Sequence, residues 1–169
     1  MNNLKSFGLH STFEMPPPEK TAPITERFFG TAVDPEQIPI VPESREKMKK
    51  LSPYCFHTAF DSNDNPVSWV IRIPTTRELK EKFMRKEITE REMFDQTVPA
   101  QTYDALYLCT SFTIPEFRRK GIARALTIET IEKFKENSPN IQLFSWIYSS
   151  DGEKFVDSLP FEVERRVDD

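Results

Sequence analysis

Cysteine and histidine are both scarce, with two of each in 169 residues. Cys55 and Cys109 are too few for a disulfide framework, and each lies in an apolar, strand-like run where a small buried thiol is common. A reduced, cytoplasmic protein is the expectation. His57 and His10 are far apart along the chain, so a metal site lacks a ligand set, and His57 reads as a structural histidine. A basic surplus is missing too: 23 Lys and Arg stand against 27 Asp and Glu, for a net charge of -4. That balance argues against a general nucleic-acid partner, because neutralising phosphates needs a basic face. No stretch approaches the ~18 consecutive apolar residues that span a bilayer, and residues 1–13 lack the continuous apolar core of a secretory leader. Neither membrane insertion nor secretion is expected.

What the chain does have is a 37% hydrophobic share beside a 30% charged share, the balance of one globular domain with a well-solvated surface. Seven of the 14 prolines fall at or before Pro42, three of them as Pro16-Pro17-Pro18. Residues 1–23 therefore read as an extended, poorly ordered arm, leaving a single domain over residues 24–169. Within it, Glu26 to Ala32 reads as a short strand, and Ser44 to Leu51, after Pro42, as a helix.

Apolar alternation in Tyr54 to Phe60 and in Val67 to Ile73, around the turn formers Asp61 to Pro66, predicts an antiparallel hairpin. Thr75 with Glu78, and Thr89 with Glu92, are spaced as capping boxes and predict two short helices or one broken helix over Thr76 to Gln96. The mixed-sign run around Lys80 reads as a solvated helix face. Ala105 to Ile114 is apolar on both faces and suits a central strand. A helix from about Arg119 to Asn137, a strand over Asn140 to Tyr148, a helix over Asp151 to Ser158 and a strand over Phe161 to Val167 complete the pattern.

The informative constellation is the junction of strand, Pro115 turn and helix. Amides without partners at a helix start bind anions, Gly121 permits close backbone approach, and Arg118, Arg119, Lys120 and Arg124 add positive charge. A diphosphate suits this point. The residues Ser111-Phe112-Thr113-Ile114-Pro115-Glu116-Phe117-Arg118-Arg119-Lys120-Gly121-Ile122-Ala123-Arg124-Ala125-Leu126 resemble the GNAT acyltransferase signature, a strand followed by Arg/Gln-x-x-Gly-x-Gly/Ala. The likeness continues over Ser149 to Phe161 and does not cover the first ~50 residues.

The resemblance implies an α/β fold with a mixed, mostly antiparallel sheet, helices on both faces, and central strands splayed where the cofactor sits. It implies acetyl-CoA, or another acyl-CoA, as cosubstrate, with no metal. Main-chain groups of Ser111, Phe112 and Thr113 would meet its pantetheine and acyl group. Amides over Arg119 to Arg124, Ile122 and Ala123 among them, would hold its diphosphate beside Arg118, and Ser149 stands where the family often has asparagine. The implied reaction is direct attack of a primary amine in a ternary complex. The acceptor, a small molecule or a peptide or protein amine, is open, as is the oligomeric state, a homodimer included.

Several residues depart from the family pattern. Val156 stands in place of the tyrosine that often protonates the thiolate, Pro160 replaces a glycine, and Tyr107 and Phe144 occupy the positions of the general bases. Tyr107, Tyr148, Asp104 and Glu116 remain as candidates for proton transfer. A noncatalytic acyl-CoA-binding or regulatory protein is the alternative, and an interaction domain that uses the Thr76 to Gln96 helices and the proline-rich arm, with the basic turn merely structural, a third. The helices of that segment are expected to cover the acceptor side of the cleft.

Overall fold

The computed structural model describes residues 2–29, 34–39 and 41–168. Its elements run α1 (Asn2–Ser6), β1 (His10–Thr12), α2 (Pro18–Phe29), α3 (Pro42–Leu51), β2 (Phe56–Phe60), β3 (Pro66–Thr75), α4 (Arg77–Met84), α5 (Glu90–Gln96), β4 (Ala105–Thr113), α6 (Ile122–Asn137), β5 (Gln142–Ile147), α7 (Ser150–Asp157) and β6 (Val163–Val167). The six strands form one sheet in the order β1-β2-β3-β4-β5-β6. The first four pair antiparallel. β5 runs parallel to β4, and β6 to β5, which requires crossovers, here α6 and α7. Both inner strands β2 and β3 are buried along their whole length, because helices cover the two faces of the sheet.

On one face, α3, α4 and α5 bury Met48, Phe83, Met93 and Phe94 against Ile71, Ile73, Tyr107 and Phe144. On the other, α6 sets Ile131 and Phe134 against Leu106 and Leu143, and Ile122 and Leu126 against Val67 and Val70.

The amino terminus differs from the extended arm expected from its prolines. α1 closes on Gly8, whose φ is 72°, with Leu9 N–H donating to Leu4 O and Gly8 N–H to Lys5 O, the paired hydrogen bonds of a Schellman turn. Leu4 and Leu9 are buried against α6, and β1 then adds an edge strand to β2. Two leucines thus supply the apolar anchors that a proline count does not register. Pro18 opens α2, where its fixed φ suits the first turn. The strand expected over Glu26 to Ala32 is not formed: residues 26–29 are helical in α2, and residues 30–32 lie outside those described.

The cap of α4 is Thr76, whose side chain accepts from Leu79 N–H; Thr75 instead stays in β3 and shares a hydrogen bond with the Thr97 hydroxyl. Lys80 is buried rather than solvated. It shares the inward face of α4 with Leu79 and Phe83, and its ammonium reaches Gln142 and Glu164. The Thr89–Glu92 capping box of α5 is present as expected.

Candidate functional site

The sheet opens between β4 and β5. Their pairing covers only Ala105–Gln142, Leu106–Leu143 and Tyr107–Phe144, while β4 continues to Thr113 along β3 and β5 continues to Ile147 along β6. A register shift lies in the β3–β4 ladder, because Ile73 pairs Tyr107 while Ile71, two residues earlier, pairs Thr110, three residues later. The extra residue in β4 is a β-bulge, which bends and twists its strand. It also reverses which side chains face which layer. Phe112 packs on Trp69, with ring centroids 4.8 Å apart, while Ser111 joins the α6 side of the sheet beside Arg72.

At the far end of β4 the chain enters a single 3₁₀ turn over Pro115–Phe117. Arg119 (φ 63°) and Gly121 (φ 74°) then take left-handed conformations before α6 begins at Ile122. The expected helix start at Arg119 therefore moves to Ile122, because two left-handed residues interrupt the helical path. The first turn of α6 has no side-chain cap and no acidic residue, whereas α4, α5 and α7 are each capped by a side-chain hydroxyl. Arg118, Arg119, Lys120, Gly121 and Arg124 are exposed around it; Ile122 is buried and Ala123 half-buried. Arg118 Nε donates to Thr113 O at 2.9 Å, and Arg124 Nε to Ser158 O at 2.9 Å, so these two guanidiniums are held over the turn. The dipole of a helix start and four cations make this an electropositive surface.

Ser111 is exposed and Thr113 half-buried at the β4 edge of the opening. Ser149 lies beyond β5, and its hydroxyl caps α7 by accepting from Gly152 N–H at 3.1 Å. Val156 is buried, 4% exposed, and carries no proton-transferring group.

Tyr107 lies on β4 where the opening begins, and Tyr148 directly follows β5 at its far end. Tyr107, in the last β4–β5 pair, is buried and donates its hydroxyl proton to Glu90 Oε2 at 2.5 Å. Burial and the adjacent carboxylate both raise its pKa well above the usual phenol value. Tyr148 is 58% exposed, packs on Trp146 with the two rings tilted by 36°, and accepts from Gln37 Nε2 at 3.4 Å. Partial burial, then Glu90, raises its pKa. Asp104 precedes β4, at the strand end opposite the opening, and Glu116 sits exposed in the 3₁₀ turn.

Two charged residues went unforeseen. Glu90, on α5, is buried; Oε1 accepts from Ile38 N–H at 2.9 Å and Oε2 from Tyr107. Burial raises its pKa, against the opposing pull of these two donors. The signal was its spacing with Met93 and Phe94 on one helical stripe. Arg72, in β3, is fully buried. Nη1 donates to Ile71 O and Thr110 O, and Nη2 to Ser111 Oγ and Thr127 Oγ1. Desolvation pulls its pKa down to about 9, which keeps it charged near neutrality. Its signal was a lone cation flanked by Val70, Ile71 and Ile73 in a strand-like segment.

The two thiols are pushed up by burial, Cys55 to about 12 and Cys109 higher still, so neither is a ready nucleophile. Among the described residues no three His, Cys, Asp or Glu side chains are grouped for a metal ion, and no helix is long and apolar enough to cross a membrane. A cavity of ≈ 760 Å³ opens at the other end of β5 and β6, lined by Lys135, Phe161 and Glu164 among others. It is remote from the β4–β5 opening and brings together no acid, base and nucleophile.

The fold is the GNAT acetyltransferase fold. A GNAT family acetyltransferase from Streptococcus pneumoniae TIGR4 superposes with a TM-score of 0.51 over 91% of this chain and 86% of that one, at 14% identity. Naa20 of Chaetomium thermophilum, solved in complex with a bisubstrate analogue, gives a TM-score of 0.44 over 76% of this chain and 56% of its own, at 14% identity. The NatC complex bound to Gag peptide and CoA gives 0.44 over 76% of this chain and 67% of that chain, at 12% identity. No protein-family model matches the sequence, and no curated protein matches it.

Proposed function

We propose that this protein transfers an acyl group, acetyl in the simplest case, from an acyl-coenzyme A to a primary amine by direct attack in a ternary complex. The observation that carries this reading is the opening of the sheet immediately after the Tyr107–Phe144 pair, on the same strand that leads into the uncapped first turn of α6. One element thus offers to an extended chain an edge that β5 leaves after Tyr107 and, at its end, amides and cations to a diphosphate. The residues fit the cosubstrate: Gly121 leaves the backbone uncovered, and Arg118, Arg119, Lys120 and Arg124 balance anionic charge, with Ile122 and Ala123 amides at the turn. Ser111, Phe112 and Thr113 line the edge through their main chain. Ser149 borders the opening while serving as a cap.

When bound, the thioester supplies the activated acyl carbonyl. The chain's part is orientation and a path for one proton. The nitrogen–carbon bond forms and the carbon–sulfur bond breaks. The ammonium proton passes through the Tyr107 hydroxyl to the Glu90 carboxylate, and solvent returns a proton to the departing thiolate. A carboxyl whose pKa is raised by burial is suited to accept that proton near neutral pH. Tyr148, exposed beside Trp146, is placed to meet the incoming amine, and the segment 34–39 that Glu90 holds through Ile38 forms the facing wall. The acceptor is a small-molecule amine or a peptide or protein amine.

A second reading, a noncatalytic acyl-CoA-binding protein, is favoured by Val156, buried where the family often has a tyrosine. Release of free thiol from acetyl-CoA across a panel of peptides and small amines separates the two. Turnover above the amine-free rate supports transfer; binding of acetyl-CoA without turnover on any amine supports the second reading.

A further inference from the structure

Arg72 is the most thoroughly buried charge at the opening, and the proton-transfer scheme does not use it. Its guanidinium is 0% exposed, and among the described residues no carboxylate pairs with it. Its partners are the carbonyls of Ile71 and Thr110 and the hydroxyls of Ser111 and Thr127, and its Nε has no hydrogen-bond partner. A buried cation without an anion is costly, so a role at this place needs explaining.

The direction of its hydrogen bonds supplies one. A guanidinium only donates, so the oxygens of both hydroxyls are acceptors towards Arg72. Thr127 directs its own proton to Ala123 O at 2.7 Å. Ser111 Oγ accepts from Arg72 Nη2 at 2.8 Å and has no other partner among the described residues. Its proton is free for an acceptor outside the protein, and Ser111 is exposed on the part of β4 that has lost β5. The bulge in β4 is what turns this side chain towards Arg72. We infer that Arg72 is a positioning residue that holds Ser111 Oγ as an acceptor, aiming the Ser111 hydroxyl proton at a carbonyl oxygen of an extended, amide-containing ligand lying along β4. On the reading proposed above, on which this inference rests, that carbonyl belongs to the pantetheine chain of coenzyme A. The positive charge behind the serine strengthens the hydrogen bond, and donation from Arg72 to both Thr110 and Ser111 fixes the strand edge that receives the ligand.

The test is calorimetric binding of two probes, coenzyme A and its nucleotide diphosphate half without the pantetheine chain. Ser111→Ala, which also takes one acceptor from the buried Arg72 and is therefore matched to the wild type for folding by its melting temperature, is expected to weaken coenzyme A roughly fivefold, the worth of one neutral hydrogen bond, and to leave the nucleotide half unchanged. Ser111→Thr, which keeps the hydroxyl, restores affinity. In an Arg72→Lys background, Ser111→Ala has no further effect, because the oriented donor is already lost. If Ser111→Ala binds coenzyme A like the wild type, or weakens both probes equally, the inference is overturned while the cofactor reading stands. If the wild type binds neither probe, the cofactor reading falls and this inference with it.

Discussion

The hydroxyl of Tyr107 donates to Oε2 of Glu90 across 2.5 Å, joining α5 to the last residue of β4 that still pairs with β5. A carboxylate buried at 5% exposure, bonded to one hydroxyl and one amide, sits at the apex of the opening rather than on its rim.

Glu90→Gln keeps the size of the side chain and its capacity to bond both Ile38 N–H and Tyr107. Folding should survive, and coenzyme A affinity should hold. The rate is expected to drop by ~100-fold, the usual worth of a general base. The acidic limb of kcat/KM, measured with a weakly basic amine so that the acceptor's own titration lies elsewhere, should flatten. Wild-type Glu90 is expected to set that limb above the ordinary carboxylate range, because burial raises its pKa. An unchanged pH profile in the variant would leave Glu90 as a strut between α5 and segment 34–39.

Gly121 holds φ at 74° immediately before the first turn of α6. Gly121→Val puts a branched side chain into left-handed backbone, at about 1–3 kcal/mol of strain, and over the amides proposed to take the diphosphate. Coenzyme A affinity is expected to fall more than stability does, by at least tenfold beyond what unfolding accounts for. Lys120→Ala should be milder. Equal losses of binding and stability would make the glycine purely conformational.

His57 makes stability depend on pH. Its Nδ1 lies 3.1 Å from Leu126 O and its Nε2 3.1 Å from Ser11 Oγ; Phe13 stacks on the ring, and Glu129 and Arg72 are the charged groups facing it. Burial holds its pKa down to about 4 from 6.5, with the Leu126 carbonyl opposing and Arg72 reinforcing. Between those values the unfolded chain binds a proton that the native state refuses, so stability is full above about 6.5 and falls as pH drops towards 4. The whole window is worth on the order of 3 kcal/mol. Urea unfolding at neutral pH and near the bottom of the window, with His57→Asn as reference, measures it. Equal pH dependence in the two proteins would show that His57 is not the group responsible.

Phe83 links the helical segment 76–96 to the opening. It is fully buried, and its ring lies 5.4 Å from Tyr107, 6.0 Å from Phe144 and 5.7 Å from Trp146. Phe83→Leu is expected to cost roughly 1–2 kcal/mol of stability. If the segment shapes the acceptor side, KM for the amine changes as well while coenzyme A affinity holds. Lowered stability with unchanged acceptor kinetics would reduce its role to packing.

Most of the sheet was legible in the sequence because its strands carry strong patterns: the hairpin around Asp61 to Pro66, the doubly apolar Ala105 to Ile114, and the glycine and cations that follow it. What escaped notice was set by tertiary contacts. Thr75 and Thr76 compete for one cap, and β3 keeps the first because its hydroxyl finds Thr97. Leu4 and Leu9 turn a proline-rich start into a packed helix and edge strand, since a few apolar anchors outweigh local composition. Lys80, Glu90 and Arg72 are charged residues that propensity assigns to the surface. Each is buried because partners distant in sequence, Glu164, Ile38 and Tyr107, and Thr110 with Thr127, accept or supply its hydrogen bonds.

Calorimetric titration of the folded protein with acetyl-CoA decides whether the β4–α6 junction takes the cosubstrate. Saturable binding with one site per chain is expected, matched by a rise in melting temperature that grows with ligand concentration, as required for a ligand that binds only the native state. No heat and no shift at millimolar acetyl-CoA, with the protein demonstrably folded, would contradict it.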